Sequence, residues 1–285
     1  MKTKHVISLL ALLAVGAAAP ARADDKAAPT PEQKLFHSIL QNEVANVKAL
    51  LSTGINPNAR VKPAKEDAWY IQRPEDDQSP PLLVVAASFG AVGDDSVIVQ
   101  MLLEKGADAN IKDSRGRTPL IKASELGWPT SMRLLLEHGA KVNVKDADGR
   151  TPLIVSMGNR GINAAAMLLD KGAEVNAKDS MGQTALMYAL RSAQHDPIRL
   201  YGQNRKDDEP EMLPDFSQPA GKDGKLKMIR LPSATERYLE LIKFLIDKGA
   251  DVNAKTKDGV SVLKIAMTSG KPQSVTMLKK AGAKE

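Results

Sequence analysis

The chain of 285 residues contains no cysteine. It therefore forms no disulfide, has no thiolate metal site and carries no lipid on a cysteine at a leader cleavage point. Stability has to come from packing. Histidine is scarce as well, with four in the sequence, and no two of them stand close enough to begin a metal site. There is no G-x-S-x-G, no H-E-x-x-H and no phosphate loop, because Gly221 to Lys225 lacks both the spacing and a following Ser or Thr. After Val6 to Ala19 no second long apolar run occurs. The formal charge of +6 falls to +3 without Lys2, Lys4 and Arg22, spread over mixed-sign helices, which predicts no nucleic-acid partner.

What is present at the start is a leader. Lys2 and Lys4 precede the apolar run, and Ala21-Arg22-Ala23 supplies an A-x-A cleavage site. Residues 1–23 thus read as a secretory signal peptide cut after Ala23, with an uncleaved anchor as the alternative. Removal leaves no membrane span, so the expected location is periplasmic or secreted. Residues 24–30 are small, polar and Pro-containing, a disordered lead-in.

The body of the chain repeats itself. Asp113 to Ala123 reads D-S-R-G-R-T-P-L-I-K-A and returns as D-A-D-G-R-T-P-L-I-V-S from Asp146, then as D-S-M-G-Q-T-A-L-M-Y-A from Asp179, a period of 33 residues. Thr118, Thr151 and Thr184 keep that spacing, as do Gly106, Gly139 and Gly172. Equal spacing points to stacked units. The pattern resembles the ankyrin repeat, D-x-x-G-x-T-P-L-H-x-A followed by L-L-x-x-G-A-D-x-N. That resemblance implies an all-α solenoid of about six helix-turn-helix repeats with β-hairpin fingers. The repeats fall near 31–59, 80–112, 113–145, 146–178, 179–255 and 256–285.

Each recurring residue has a structural duty. Leu83, Leu120, Leu153, Leu186 and Leu263 form one apolar ladder, and Leu50, Leu102, Leu135, Leu168, Leu245 and Leu278 a second. Ala86, Ala123, Ser156, Ala189 and Ala266 are small, as close helices require. Thr118, Thr151, Thr184 and Ser261 are placed to cap first helices, with Pro119 and Pro152 behind them. The family histidine is replaced by Ile121, Ile154, Met187 and Lys264, so apolar packing is expected in its place. The last repeat ends in Lys279, Lys280 and Lys284, a polar cap.

The pattern is interrupted twice at length. The connection after Asn58 is about fifteen residues longer than in the regular copies and carries Trp69-Tyr70, either a binding anchor over the concave side or a lid on the first repeat. In repeat five, Thr184 to Leu245 spans 61 residues where Thr118 to Leu135 spans 17, an insertion of 44. This insert, 192–235, has five prolines and reads as a loop with at most short local structure. Lengthening the connection about twelvefold adds only about 2 kcal/mol of closure entropy, so a stack can carry it.

Non-repeating residues on the fingers and first helices are the candidates for partner contact: Arg115, Arg117, Lys122, Asp148, Arg150, Met181 and Tyr188, joined by Trp69 and Tyr70. Gln183, Trp128, Tyr201, Phe216 and Met212-Leu213 are further surface candidates. Lys112, Lys145, Lys178 and Lys255 form a ladder read as a solvated face. His37 and His138 read as structural, His138 at a helix end where a cation favours the dipole. The resemblance implies a non-catalytic, cofactor-free module, a monomer that binds another protein through its concave face and insertions. Among exported proteins of this kind, immunity and accessory roles are the analogies. The alternative is an enzyme or metal-binding protein with its chemistry at His195-Asp196 in the insert.

Overall fold

The computed structural model describes residues 28–64, 66–67, 78–88, 96–158, 161–192, 211–214, 228–231 and 233–284. Pro31 to Glu285 form one compact unit. Its helices come in pairs, one pair per repeat: α1 (Pro31–Leu40) with α2 (Val44–Ser52), α3 (Leu82–Ala86) with α4 (Val97–Glu104), and α5 (Pro119–Leu126) with α6 (Pro129–Glu137). There follow α7 (Pro152–Val155) with α8 (Gly161–Asp170), α9 (Ala185–Ser192) with α10 (Ala234–Asp247), and α11 (Val262–Thr268) with α12 (Pro272–Lys280). First helices pack on first helices along the chain and second on second, so two layers enclose one continuous core.

The leucine ladders are that core. Leu102, Leu135, Leu168, Leu245 and Leu278 are fully buried, and the ladder through Leu83, Leu120, Leu153, Leu186 and Leu263 is buried throughout. At about 1.5 to 3 kcal/mol per leucine, burial on this scale is the main force joining the repeats. Leu50 departs from its ladder and is only half-buried, while Leu51 beside it is covered. A terminal repeat is covered by a neighbour on one side only.

Helix starts follow their local chemistry. The Thr118 and Thr151 hydroxyls accept from the N–H of Ile121 and Ile154 at 3.3 Å, and Ser261 accepts from Lys264 N at 3.2 Å. Thr184 is different, because its hydroxyl is buried without a partner and does not cap α9. Ile121, Ile154 and Met187 are buried, so apolar contacts do replace the family's histidine in those repeats. His138 bonds backward through Nδ1 to the carbonyl of Leu134 at 2.9 Å.

Both interruptions contribute described residues to the fold. The long connection after repeat one turns back onto α1: Val61 is buried, Gln33 donates to the Lys62 carbonyl at 3.1 Å, and His37 Nδ1 meets Asp67 Oδ1 at 2.9 Å. Asp67 is fully buried, so His37 holds a segment that no repeat position would order. Within the insert, β1 (Glu211–Pro214) pairs antiparallel with β2 (Met228–Leu231), Glu211 opposite Leu231. The chain returns through α10, whose start is a reciprocal capping box of Ser233 and Glu236. That box begins α10 at Ala234.

Candidate interaction surface

Each regular finger is a turn folded around a buried aspartate. Asp113 Oδ1 accepts from the backbone N–H of Arg115 and Arg117 at 2.9 and 2.8 Å, and Oδ2 accepts from Arg117 Nε at 2.7 Å. Asp146 does the same with Asp148 N at 3.0 Å, Arg150 N at 2.8 Å and Arg150 Nε at 2.9 Å. A carboxylate so placed satisfies donors that a strand ladder would otherwise have to pair. The fingers are accordingly tight turns, with isolated bridges at Arg60 to Pro81 and Lys255 to Ser261.

The fifth finger keeps the aspartate and changes its partner. Asp179 Oδ1 accepts from Met181 N and Gln183 N at 2.9 and 2.8 Å, but glutamine stands where the arginine was. Oδ2 instead receives the Tyr188 hydroxyl from α9 at 2.8 Å. Burial, then the hydrogen bond and charge of Asp179, push that hydroxyl up to about 12. Gln183 Oε1 is left buried without a partner.

Neighbouring fingers are joined through the backbone. Ala147 N donates to Arg115 O at 2.9 Å, Ser180 N to Asp148 O at 2.8 Å, and Lys257 N to Met181 O at 2.9 Å. The approach is close enough that a Cβ on Gly149 would stand 2.8 Å from Ser180 N, and its φ of +76° already favours glycine. Charges bind the row to the helices behind it. Burial works against the Arg150 charge, yet Asp146 and then Asp148 outweigh it and raise its pKa. Burial likewise works to raise Glu125 on α5, but Lys122, Arg117 and Arg150 prevail and hold it below the usual carboxylate range.

Behind the fingers runs a second set of stitches. Asn110 donates from Nδ2 to the Gly139 carbonyl at 2.9 Å and accepts from Lys141 N at 2.8 Å; Asn143 repeats this with Gly172 and Glu174 at 3.0 and 2.9 Å. Asn58, Asn176 and Asn253 make the same pair of bonds to the repeat that follows each. The lysine ladder is also engaged. Lys145 Nζ donates to Lys178 O at 2.9 Å, Lys112 to Lys145 O and Lys178 to Lys255 O at 3.5 Å, with Arg60 reaching Lys112 O at the head of the row.

Two family models match this sequence: ankyrin repeats in three copies over residues 83–179, and a single ankyrin repeat over residues 233–257. The chain is an ankyrin-repeat protein. Among solved structures it is similar to an ankyrin repeat domain from Acinetobacter baumannii AYE, at 23% identity and a TM-score of 0.62, over 89% of this chain and 100% of that one. No curated protein sequence matches.

In this ankyrin-repeat protein the candidate contact residues separate into two kinds. Arg117, Arg150 and Tyr188 hold the finger aspartates, and Lys122 pairs with Glu125 at 2.8 Å. Asp148 is exposed but bonded to Arg150 at 3.0 Å. Arg115 is exposed at the turn, and Met181 is 50% exposed. Trp69, Tyr70, Tyr201, Phe216, His195 and Asp196 lie outside the described residues. Among the described residues no cluster of three His, Asp or Glu is arranged to hold a metal.

Sequence reasoning passed over the asparagines and finger aspartates as parts of the site. Their signal was available, since Asn110, Asn143 and Asn176 keep the 33-residue period, but spacing alone does not say that a side chain crosses to the next repeat. The lysine ladder, expected as a solvated face, is exposed and also hydrogen-bonded across repeats.

Proposed function

We propose that this chain, built from repeats of a kind that generally mediates protein–protein interaction, is a non-catalytic, exported interaction module, periplasmic or secreted, that binds a partner protein with its finger row and first helices. An immunity or accessory role fits such a module, and the leader-like start of the sequence supports export. The observation that carries the proposal is the division of labour on the fingers: internal bonds use up Asp113, Arg117, Asp146 and Arg150, whereas Arg115 and Met181 are presented outward on a rigid row.

Affinity capture from the secreted or periplasmic fraction, followed by a binding measurement with the recovered partner, tests it. Arg115→Ala with Met181→Ala should weaken binding by about tenfold or more while the thermal transition stays in place. Unchanged affinity for the double variant moves the site off the finger row.

A further inference from the structure

The net positive charge of this protein is concentrated at one end. Residues 256–285 contain six lysines, no arginine, no aromatic residue and two acids, a formal +4. Residues 24–255 carry −1, so the charge is not spread along the stack.

Register shows where these lysines point. Lys264 occupies the position of Ile121, Ile154 and Met187, each buried in its repeat, but here it is exposed. Met267 occupies the position of Ser124, Met157 and Leu190, all buried, and is 45% exposed. Lys279 follows Leu278 where Leu103, Leu136, Leu169 and Ile246 stand in earlier repeats, and it too is exposed. Lys280 reverses a sign: the equivalent residues are Glu104, Glu137, Asp170 and Asp247. A cap that merely kept the end soluble would accept acids or neutral polar residues there. This face is lysine on both helices, around one exposed methionine.

We propose that the open end of the stack, built from Lys264, Met267 and Lys279 with Lys280 and Lys284 on its rim, is a docking face for an anionic bilayer surface. The choice of residue argues for that occupant. Arginine and aromatic side chains dominate specific recognition of carboxylates and of nucleic acid, and this repeat has neither. Lysines are mobile point charges suited to a diffuse plane of anionic headgroups. No helix among the described residues is long and apolar enough to cross a membrane, so contact of this face is peripheral. This face shares no residue with the finger row.

The test compares sedimentation of the full chain with vesicles of mixed phosphatidylserine and phosphatidylcholine and with phosphatidylcholine alone, which separates the anionic preference from any effect of the apolar leader. The triple variant Lys264→Gln, Lys279→Gln, Lys280→Gln should lose that preference by on the order of a hundredfold, about fivefold for each ammonium removed. Arginine at the same three positions should retain it, which separates charge from misfolding. Lys34→Gln, Lys48→Gln and Lys105→Gln, exposed in the first two repeats, should change it only a few-fold. Equal losses in the two glutamine triples, or no anionic preference in the unaltered chain, overturn the proposal. So does a loss confined to soluble polyglutamate, which would make the face one for an acidic protein.

Discussion

The fourth and fifth fingers place the same buried aspartate in the same turn, but Asp146 is held by Arg150 from inside the turn and Asp179 by Tyr188 from the helix behind it. The first arrangement is self-contained, and both ends of the ion pair lie within five residues. The second ties the finger to α9, the helix from which the chain leaves for the insert. A repeat can thus keep its fold while its finger is supported from a different place. The difference also separates the surface chemistry: the fourth finger presents Asp148 engaged with Arg150, and the fifth presents the apolar Met181.

The comparison breaks most severely at the aspartate. Asp146→Ala should cost about 3 kcal/mol in urea unfolding, because two backbone N–H groups and the Arg150 guanidinium lose one shared partner. A loss below about 1 kcal/mol would mean that water replaces the carboxylate and that the turn does not depend on it.

Tyr188→Phe should cost about 1 to 2 kcal/mol, and adding Gln183→Arg should recover most of it by rebuilding the arrangement of the fourth finger. Failure of that rescue would show that the two supports are not interchangeable. The same residue makes a pH prediction. Tyr188 is raised to about 12 in the folded chain, against about 10 when unfolded. Above about pH 10 the unfolded state therefore binds fewer protons than the folded state, and stability falls with rising pH. The contribution is complete below pH 10 and disappears as pH passes about 12, and the highest step in the tyrosinate absorbance titration should vanish in Tyr188→Phe.

The smallest effect belongs to the stitches that both fingers share. Lys145→Ala removes one exposed hydrogen bond to Lys178 O and should cost about 0.5 kcal/mol or less, near the limit of denaturation experiments. A cost comparable to that of Tyr188→Phe would make the lysine row a principal support of the finger face.

Much of the fold was legible in the sequence because the repeat enforces itself. A residue type that returns every 33 positions faces the same neighbours each time, so Leu120, Leu135, Ala123 and Thr118 announce their burial without coordinates. The candidate surface was less legible. Arg117 and Arg150 stood out as charged residues on fingers, and the sequence does not reveal that each is folded against the aspartate four residues before it. Tyr188 looked like a free aromatic for the same reason. Leu50 and Thr184 were expected to follow the pattern and do not, one because the stack ends and the other because its hydroxyl meets no donor.

By itself the sequence determined the period, the two leucine ladders, the glycines at turns and the positions of both interruptions. Those follow from local geometry and from apolar burial, which depend on residue type and spacing. Only the tertiary structure decided which polar side chains were consumed in joining the repeats and which remained for a partner. A hydrogen bond from Asn110 to Gly139, or from Tyr188 to Asp179, depends on where two segments meet to within a fraction of an ångström. Periodicity sets which segments meet, and the packed stack sets that distance.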